Sequence, residues 1–426
     1  MKRRHRIGAT ALSVMAAAGT AAGLGASAGT AAAAAPVAFT YWTSGYKPAE
    51  ITAIDNAFHA AYPQYVAHGQ YISTSDEYLP KVIAALKTGT QPTVLTDQSP
   101  SDLPLIEQSG KLIPLNGKLT AATNSLYPGI KKSLFYRGKQ LGMALAGVGD
   151  IVLFYNKTDF AKAGITKPPA TWTQLAADAK KLSNPATNHY GFYVPMGDAE
   201  WISYDWEPVL WGNGGNLLNQ SQTKAAFDSP AGVKALSTWV NLVKSKSAPA
   251  TSFAAGGNFD GPTAFSSNAV AMITDGQWLE GELPKGLNYG VAPYPAGTHG
   301  PSTNIGIGVV ALLKTTPAQD KAGLAFIKFM STAKEGAYLA DQSGGLPSSQ
   351  SQLSQPLLKK DESKKFFSVF ANDERYGQVR PISPEYNAVS QFLWQAINAA
   401  ISGKETPAAA LHHAAQQADQ ALAQHS

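Results

Sequence analysis

Seven carboxylates of this 426-residue chain, Asp76, Glu77, Asp97, Asp150, Asp198, Asp205 and Asp275, stand in separate segments where strands are expected to meet helices. Two chemistries suit them. A pair straddling one bond at about 5 to 9.5 Å would hydrolyse a glycoside. Single carboxylates set apart instead accept hydrogen bonds from sugar hydroxyls. Aromatic residues sharpen the second reading, because a pyranose has an apolar C–H face that packs on a flat ring and a rim of hydroxyls that needs planar polar partners. Trp201, Tyr204, Trp206 and Trp211 cluster ahead of Gly212-Asn213-Gly214-Gly215, and Trp278 follows the turn Asp275-Gly276-Gln277. Trp206, Trp211, Trp239 and Trp394 read as packing residues, and Trp201 stands open between core and site.

Other chemistries lack their residues. The single G-x-S-x-G run, Gly25 to Gly29, falls in the N-terminal leader, and no phosphate-binding G-x-x-x-x-G-K-[ST] occurs. His412-His413 sits on an Ala/Gln-rich terminal helix without a carboxylate at zinc-site spacing. No catalytic residue, metal site or cofactor is therefore assigned.

The elements that must position these side chains are read from periodicity. Phe39-Thr40-Tyr41-Trp42 is strand-like and turns at Ser44-Gly45, after which Ile51, Ile54, Phe58 and Tyr62 recur at helical spacing. Leu79, Val82, Ile83 and Leu86 form a second stripe, and Thr93 to Thr96 is a short strand ending on Asp97. Ile151 to Tyr155 is a further strand. Ala269 to Ile273 is another, delivered into the turn that carries Trp278. Ser229-Pro230, Thr316-Pro317 and Thr406-Pro407 each set a capping hydroxyl before a first-turn proline. Strands alternating with capped helices predict an α/β class with parallel or mixed sheets. Glycine-flanked segments at Gly147–Leu153, Asn304–Gly308 and Ser343–Leu346 are the candidate crossings between two lobes.

Residues 1–35 read as a signal peptide, with Lys2, Arg3, Arg4 and Arg6 before a short apolar stretch ending in five alanines. These four cations account for most of the formal charge of +5, leaving +1 on the remainder, so nucleic acid is not an expected partner. The chain has no cysteine, hence no disulfide framework and no thiol for a lipid anchor. An exported protein outside the membrane, in the cell-wall space or a periplasm, follows as the expectation.

A series of segments in one order carries a resemblance: FTYWTSGYKPAEITAIDNAFHAAYP, TSDEYLPKVIAALKTGTQPTVL, SGKLIPL, VLFYNKTDFAKAGI, PPATWTQLAADAKKL, FDSPAGVKAL, AFSSNAVAMITDGQW, GIGVVALLKTTPAQDKAGLAFIKFM, GGLPSS and SGKETPAAAL. Together they resemble the extracellular solute-binding proteins of ABC importers, in the large sugar-binding family that includes maltose-binding protein. The missing lipobox cysteine is the one departure.

The resemblance implies a two-lobe periplasmic-binding-protein fold with three interlobe crossings and a central ligand cleft. The lobes would be 37–148 plus 306–342, and 153–302 plus 348–426. It implies a monomer that closes on a mono- or oligosaccharide and delivers it to membrane permease subunits. Carried over by position, Trp278 is the family's stacking tryptophan, Ser44 to Tyr46 the first-strand loop, and Asp97 and Gln98 the next. Tyr204 with Trp201 opens the second-lobe side, Glu77 is a polar cleft residue, Asp150 lies at the first crossing, and Arg380 is a further candidate. Trp42 is a further candidate stacking ring. Two rivals stay open: a secreted glycoside hydrolase or lyase, and a non-catalytic module adhering to polysaccharide. Within the importer reading, glycerol phosphates, polyamines and peptides remain alternative ligands.

Overall fold

The computed structural model describes residues 35–72, 75–145, 149–197, 200–250, 260–343, 345–359 and 366–423. The signal-peptide reading falls, but for its last residue, outside them. Twelve strands organise the described residues: β1 (Val37–Thr43), β2 (Tyr65–Tyr71), β3 (Val94–Gln98), β4 (Phe135–Tyr136), β5 (Lys139–Gln140), β6 (Met143–Ala144), β7 (Gly149–Asn156), β8 (Met272–Gly276), β9 (Tyr289–Ala292), β10 (Thr303–Gly306), β11 (Val309–Leu312) and β12 (Gly377–Gln378).

The first sheet has the order β2-β1-β3-β11-β6. β1 runs parallel to β2 and β3, while β11 runs antiparallel to β3 and β6. The expected stripes do the packing: Ile51, Ile54 and Phe58 of the Pro48–Ala61 helix are buried, and Phe58 meets Phe39 and Phe326 edge-on at 6.0 and 5.1 Å. The second sheet is built on β7, which pairs antiparallel with β8, β9 and β10, with β12 added beyond β10. Parallel pairing enters at both edges: β12 runs parallel to β10, and beside β8 Ala271 N–H donates to Tyr190 O (2.9 Å) and Tyr193 N–H to Met272 O (3.0 Å).

The proline-led caps form as read. Ser229 accepts from Gly232 N–H at the head of Pro230–Lys244, Thr316 from Gln319 N–H at the head of Pro317–Met330, and Thr406 from Ala409 N–H. Trp206 and Trp239 are wholly buried in the second lobe's core, and Trp211 is buried too but lines a cavity. The chain leaves the first sheet after β6 and enters the second at β7, and it returns from β10 to β11 through Gly306-Ile307-Gly308. These passages bring Gly149, Gly306 and Gly308 to the junction of the lobes. The segment Leu346–Ser349 stays against the first lobe, with Ser349 bridged to Leu126, whereas Phe366 packs on Tyr289 of the second sheet at 5.4 Å.

Candidate functional site

On the first lobe the ends of β1 and β3 converge on Asp97. Its backbone is left-handed, φ +59°, a conformation few non-glycine residues adopt outside special sites. Oδ2 accepts three hydrogen bonds, from Thr43 Oγ1 (2.6 Å), Thr96 Oγ1 (3.0 Å) and Gly45 N–H (3.1 Å). Two glycines make room for the carboxylate, since a Cβ on Gly45 would lie 2.8–2.9 Å from its atoms and one on Gly308 3.2 Å from Oδ1. Burial raises its pKa, partly offset by the donors from Thr43, Thr96 and Gly45. Concentrating the three donors on one oxygen leaves the other facing the lobe junction at Gly308.

Around it, Trp42 is buried, with its indole N–H donating to Gln70 Oε1 (2.8 Å) and Lys81 Nζ 5.1 Å from the ring centroid. Ser44 is half-buried, and Tyr46 is buried with its N–H on Thr43 Oγ1 (3.3 Å). Gln98 is buried beside the Tyr78 hydroxyl, which donates to Trp42 O (2.7 Å). Glu77 is exposed on the Ser75–Thr88 helix.

The second lobe supplies a run of aromatic rings. β8 ends at Gly276, and a single 3-10 turn, Gln277–Gly281, folds Trp278 back over it: a Cβ on Gly276 would lie 2.2–2.4 Å from the indole, and one on Gly149 2.6 Å from it. The indole is thus seated on two glycine backbones, with the residue 37 % exposed. Trp201 meets it edge-on, centroids 6.1 Å apart at 76°, and Tyr204 lies 5.5 Å beyond Trp201. The Arg380 guanidinium covers Tyr204 at 4.7 Å and pairs with Glu200 Oε1 at 2.7 Å. The Tyr204 hydroxyl is buried without a hydrogen-bond partner, close against Gly306, where a Cβ would lie 2.8 Å from it.

Behind this wall Tyr386 lies 2.7 Å from Glu200 Oε1 and 3.1 Å from Glu207 Oε1, and Asn304 Nδ2 donates to Glu207 Oε2 (2.9 Å). Asp102, in the turn after β3, accepts from Asn387 Nδ2 at 3.1 Å and so links the two lobes directly. Burial pushes Asp102 up to about 6, against the pull of Arg380.

Trp278, Trp201, Tyr204 and Arg380 therefore form one contiguous group, and Ser44, Tyr46, Asp97 and Gln98 a second on the other lobe. Asp150 lies beside the first group, its N–H donating to Gln277 Oε1 (3.1 Å) and its carboxyl near enough to Tyr204 to raise that hydroxyl's pKa. It is fully buried, neither carboxylate oxygen has a hydrogen-bond partner, and burial reinforced by Glu374 and Asp373 holds it well above the usual carboxylate range. A cavity of about 920 Å³ opens on the Arg380 side between residues 129–137 and the segments 216–223 and 377–385; Trp42, Asp97 and Trp278 do not line it. Asp102, Glu200, Glu207, Asn304, Tyr386 and Asn387 lie outside the site residues expected from the sequence. Glu200, Tyr204 and Glu207 do fall at i, i+4 and i+7, one face of a helix, and that spacing was the available signal. No group of three or more metal-ligating side chains occurs among the described residues.

Residues 53–365 match the family model of the bacterial extracellular solute-binding proteins. The chain belongs to that family. Among its relatives is the sn-glycerol-3-phosphate-binding periplasmic protein UgpB of Brucella melitensis, 26 % identical over 331 residues that cover 73 % of this chain and 74 % of that one. The GacH receptor of Streptomyces glaucescens, solved unliganded and with acarbose, is similar at a TM-score of 0.80 and 25 % identity, covering 92 % of this solute-binding chain and all of the other. A solute-binding protein of Thermotoga lettingae bound to α-D-tagatose has a TM-score of 0.79 at 23 % identity, over 91 % and 100 % of the two chains. The fold of this solute-binding protein is accordingly α/β with two lobes and a cleft between them. Among the described residues no helix is long and apolar enough to cross a membrane.

Proposed function

We propose that this solute-binding protein captures a mono- or oligosaccharide outside the membrane and hands it to the permease of an ABC importer, without catalysing any reaction on it. The observation that carries the reading is the seat of Trp278, a part-exposed indole propped on Gly276 and Gly149 and met edge-on by Trp201. Such a surface offers a flat face to a pyranose. Asp97 on the opposite lobe offers a carboxylate to its hydroxyls. The relatives that bind tagatose and acarbose point the same way.

A phosphate ester, as carried by the UgpB relative, fits less well. It would need free cations, and Arg380 is already committed to Glu200 while Asp97, Asp102 and Glu200 surround the junction. The mechanism is a population shift: ligand that touches both lobes favours the closed form by its difference in affinity for the two states. The moving bodies are the two sheets with their helices, with lobe boundaries near 148–153 and 302–306. The protein works as a monomer outside the membrane.

A thermal-shift screen of maltose, acarbose, D-tagatose and sn-glycerol 3-phosphate tests the assignment, since ligand at 100 times its Kd stabilises by about 2.7 kcal/mol. Stabilisation by a saccharide together with a smaller radius of gyration in solution is the expected result. Release of reducing ends from a bound saccharide would favour the hydrolase reading, and stabilisation by the phosphate ester alone would overturn the sugar assignment.

A further inference from the structure

Tyr386 stands between two carboxylates with one proton to give. Its Oη lies 2.7 Å from Glu200 Oε1 and 3.1 Å from Glu207 Oε1. Tyr386, Glu207 and Asn304 are each no more than 1 % exposed. A phenol donates a single hydrogen bond. If that bond goes to Glu207, the shorter contact, to Glu200, sets two lone-pair oxygens 2.7 Å apart. If it goes to Glu200, the remaining contact needs a hydrogen from the Glu207 side, and a buried pair of acceptors without one is costly. Glu207 Oε2 already accepts from Asn304 Nδ2, so Oε1 is the oxygen on which a proton fits.

We propose that Glu207 is a positioning residue that holds a proton on Oε1, donates it to Tyr386 Oη, and thereby turns the Tyr386 proton to Glu200. The chain Glu207, Tyr386, Glu200, Arg380 then fixes the guanidinium over Tyr204 at the cleft. This rests on the reading of Tyr204 and Arg380 as part of the ligand wall.

Burial supports the assignment, pushing Glu207 up to about 8 against Arg380, with Glu200 adding to the rise and the bonds from Asn304 and Tyr386 opposing it. The ionisable groups facing it are Glu200 and Tyr204 from its own helix, Tyr386 from the neighbouring helix, and Arg380. Loss of its proton leaves two anions competing for one phenol hydrogen, and loosens the Glu200–Arg380 pair.

Infrared difference spectra of the full chain test where the proton lies. Subtracting Glu207→Gln from wild type at about pH 6 should leave the C=O stretch of one protonated carboxyl, which disappears by about pH 10. Tyr386→Phe should keep that band and shift it, because the acid has lost its acceptor. Absence of the band, or a band unmoved in Tyr386→Phe, overturns the proposal. With maltose as probe, wild-type affinity should fall about tenfold between about pH 6 and pH 9, while that of Glu207→Gln changes less than about twofold. A flat wild-type profile with a titrating band would refute the positioning role. Maltose bound by no form would count against the saccharide reading, with the infrared band still deciding the proton.

Discussion

In the proposed reading Trp278 and Asp97 carry the two sides of the cleft in different ways, and single substitutions test each. Trp278 is part-exposed and rests on backbone, so Trp278→Ala should keep the melting temperature nearly unchanged and weaken saccharide binding about ten- to a hundredfold. Calorimetric titration and a thermal melt on the same variant check this; a loss of about 3–5 kcal/mol of stability would instead mark a core residue. Asp97→Asn removes the charge while keeping an acceptor for Thr43, Thr96 and Gly45. Asparagine tolerates the left-handed backbone at this position, so the empty protein should melt as before and bind saccharide about tenfold more weakly. Equal affinity with a lower melting temperature would assign Asp97 to the scaffold. Asp97 is legible in the sequence as a strand-end carboxylate and, through the resemblance, as a site residue. Its left-handed φ is not, because the close approach of Gly45 and Gly308 that accompanies it comes from segments distant in sequence.

At the level of elements, the strand that ends in Asp275-Gly276 works as an arm whose last residue is a seat. A methyl group on Gly276 would overlap the indole, whereas Gly281 at the end of the same turn has nothing within 4 Å of its Cβ position. Gly276→Ala should therefore lower saccharide affinity nearly as much as Trp278→Ala and alter tryptophan fluorescence, with Gly281→Ala as the neutral control. Titration of the two alanine variants in parallel decides it. Local signals served the elements well: the proline-led caps at Ser229, Thr316 and Thr406 and the stripe through Ile51, Ile54 and Phe58 were readable from spacing alone. In the helix from Glu200 to Gly212 the aromatic residues stand out in the sequence, while its polar face of Glu200 and Glu207 does not. Their partners Asn304, Arg380 and Tyr386 lie about a hundred or more residues away, and no local pattern connects them.

For the whole molecule the burial of acids sets a pH dependence. Desolvation pushes Asp205 up to about 7, Glu207 to about 8, Glu374 to about 7 and Asp373 to about 6. Acids with folded pKa values above their unfolded ones bind protons more tightly when folded, so their contribution is fully present below about pH 4 and is lost as pH rises through 6 to 8. The melting temperature of the empty protein should fall by several degrees between about pH 5 and about pH 8, read by calorimetry; a rise over that interval would reverse the sign argued here. Two lobes are expected from the glycine-flanked crossings, and the passage through Gly306-Ile307-Gly308 overlaps one of those segments. The contact between Asn387 and Asp102 had no signal in either local sequence. That bond joins the lobes without any ligand, and a hydrogen bond to a carboxylate is worth about 1.5–3 kcal/mol, roughly a ten- to hundredfold bias in population. An importer that takes a shut carrier for a loaded one would spend ATP on empty deliveries to the extent that this bond forms, and Asn387→Ala should lower that idle ATP hydrolysis in the reconstituted transporter.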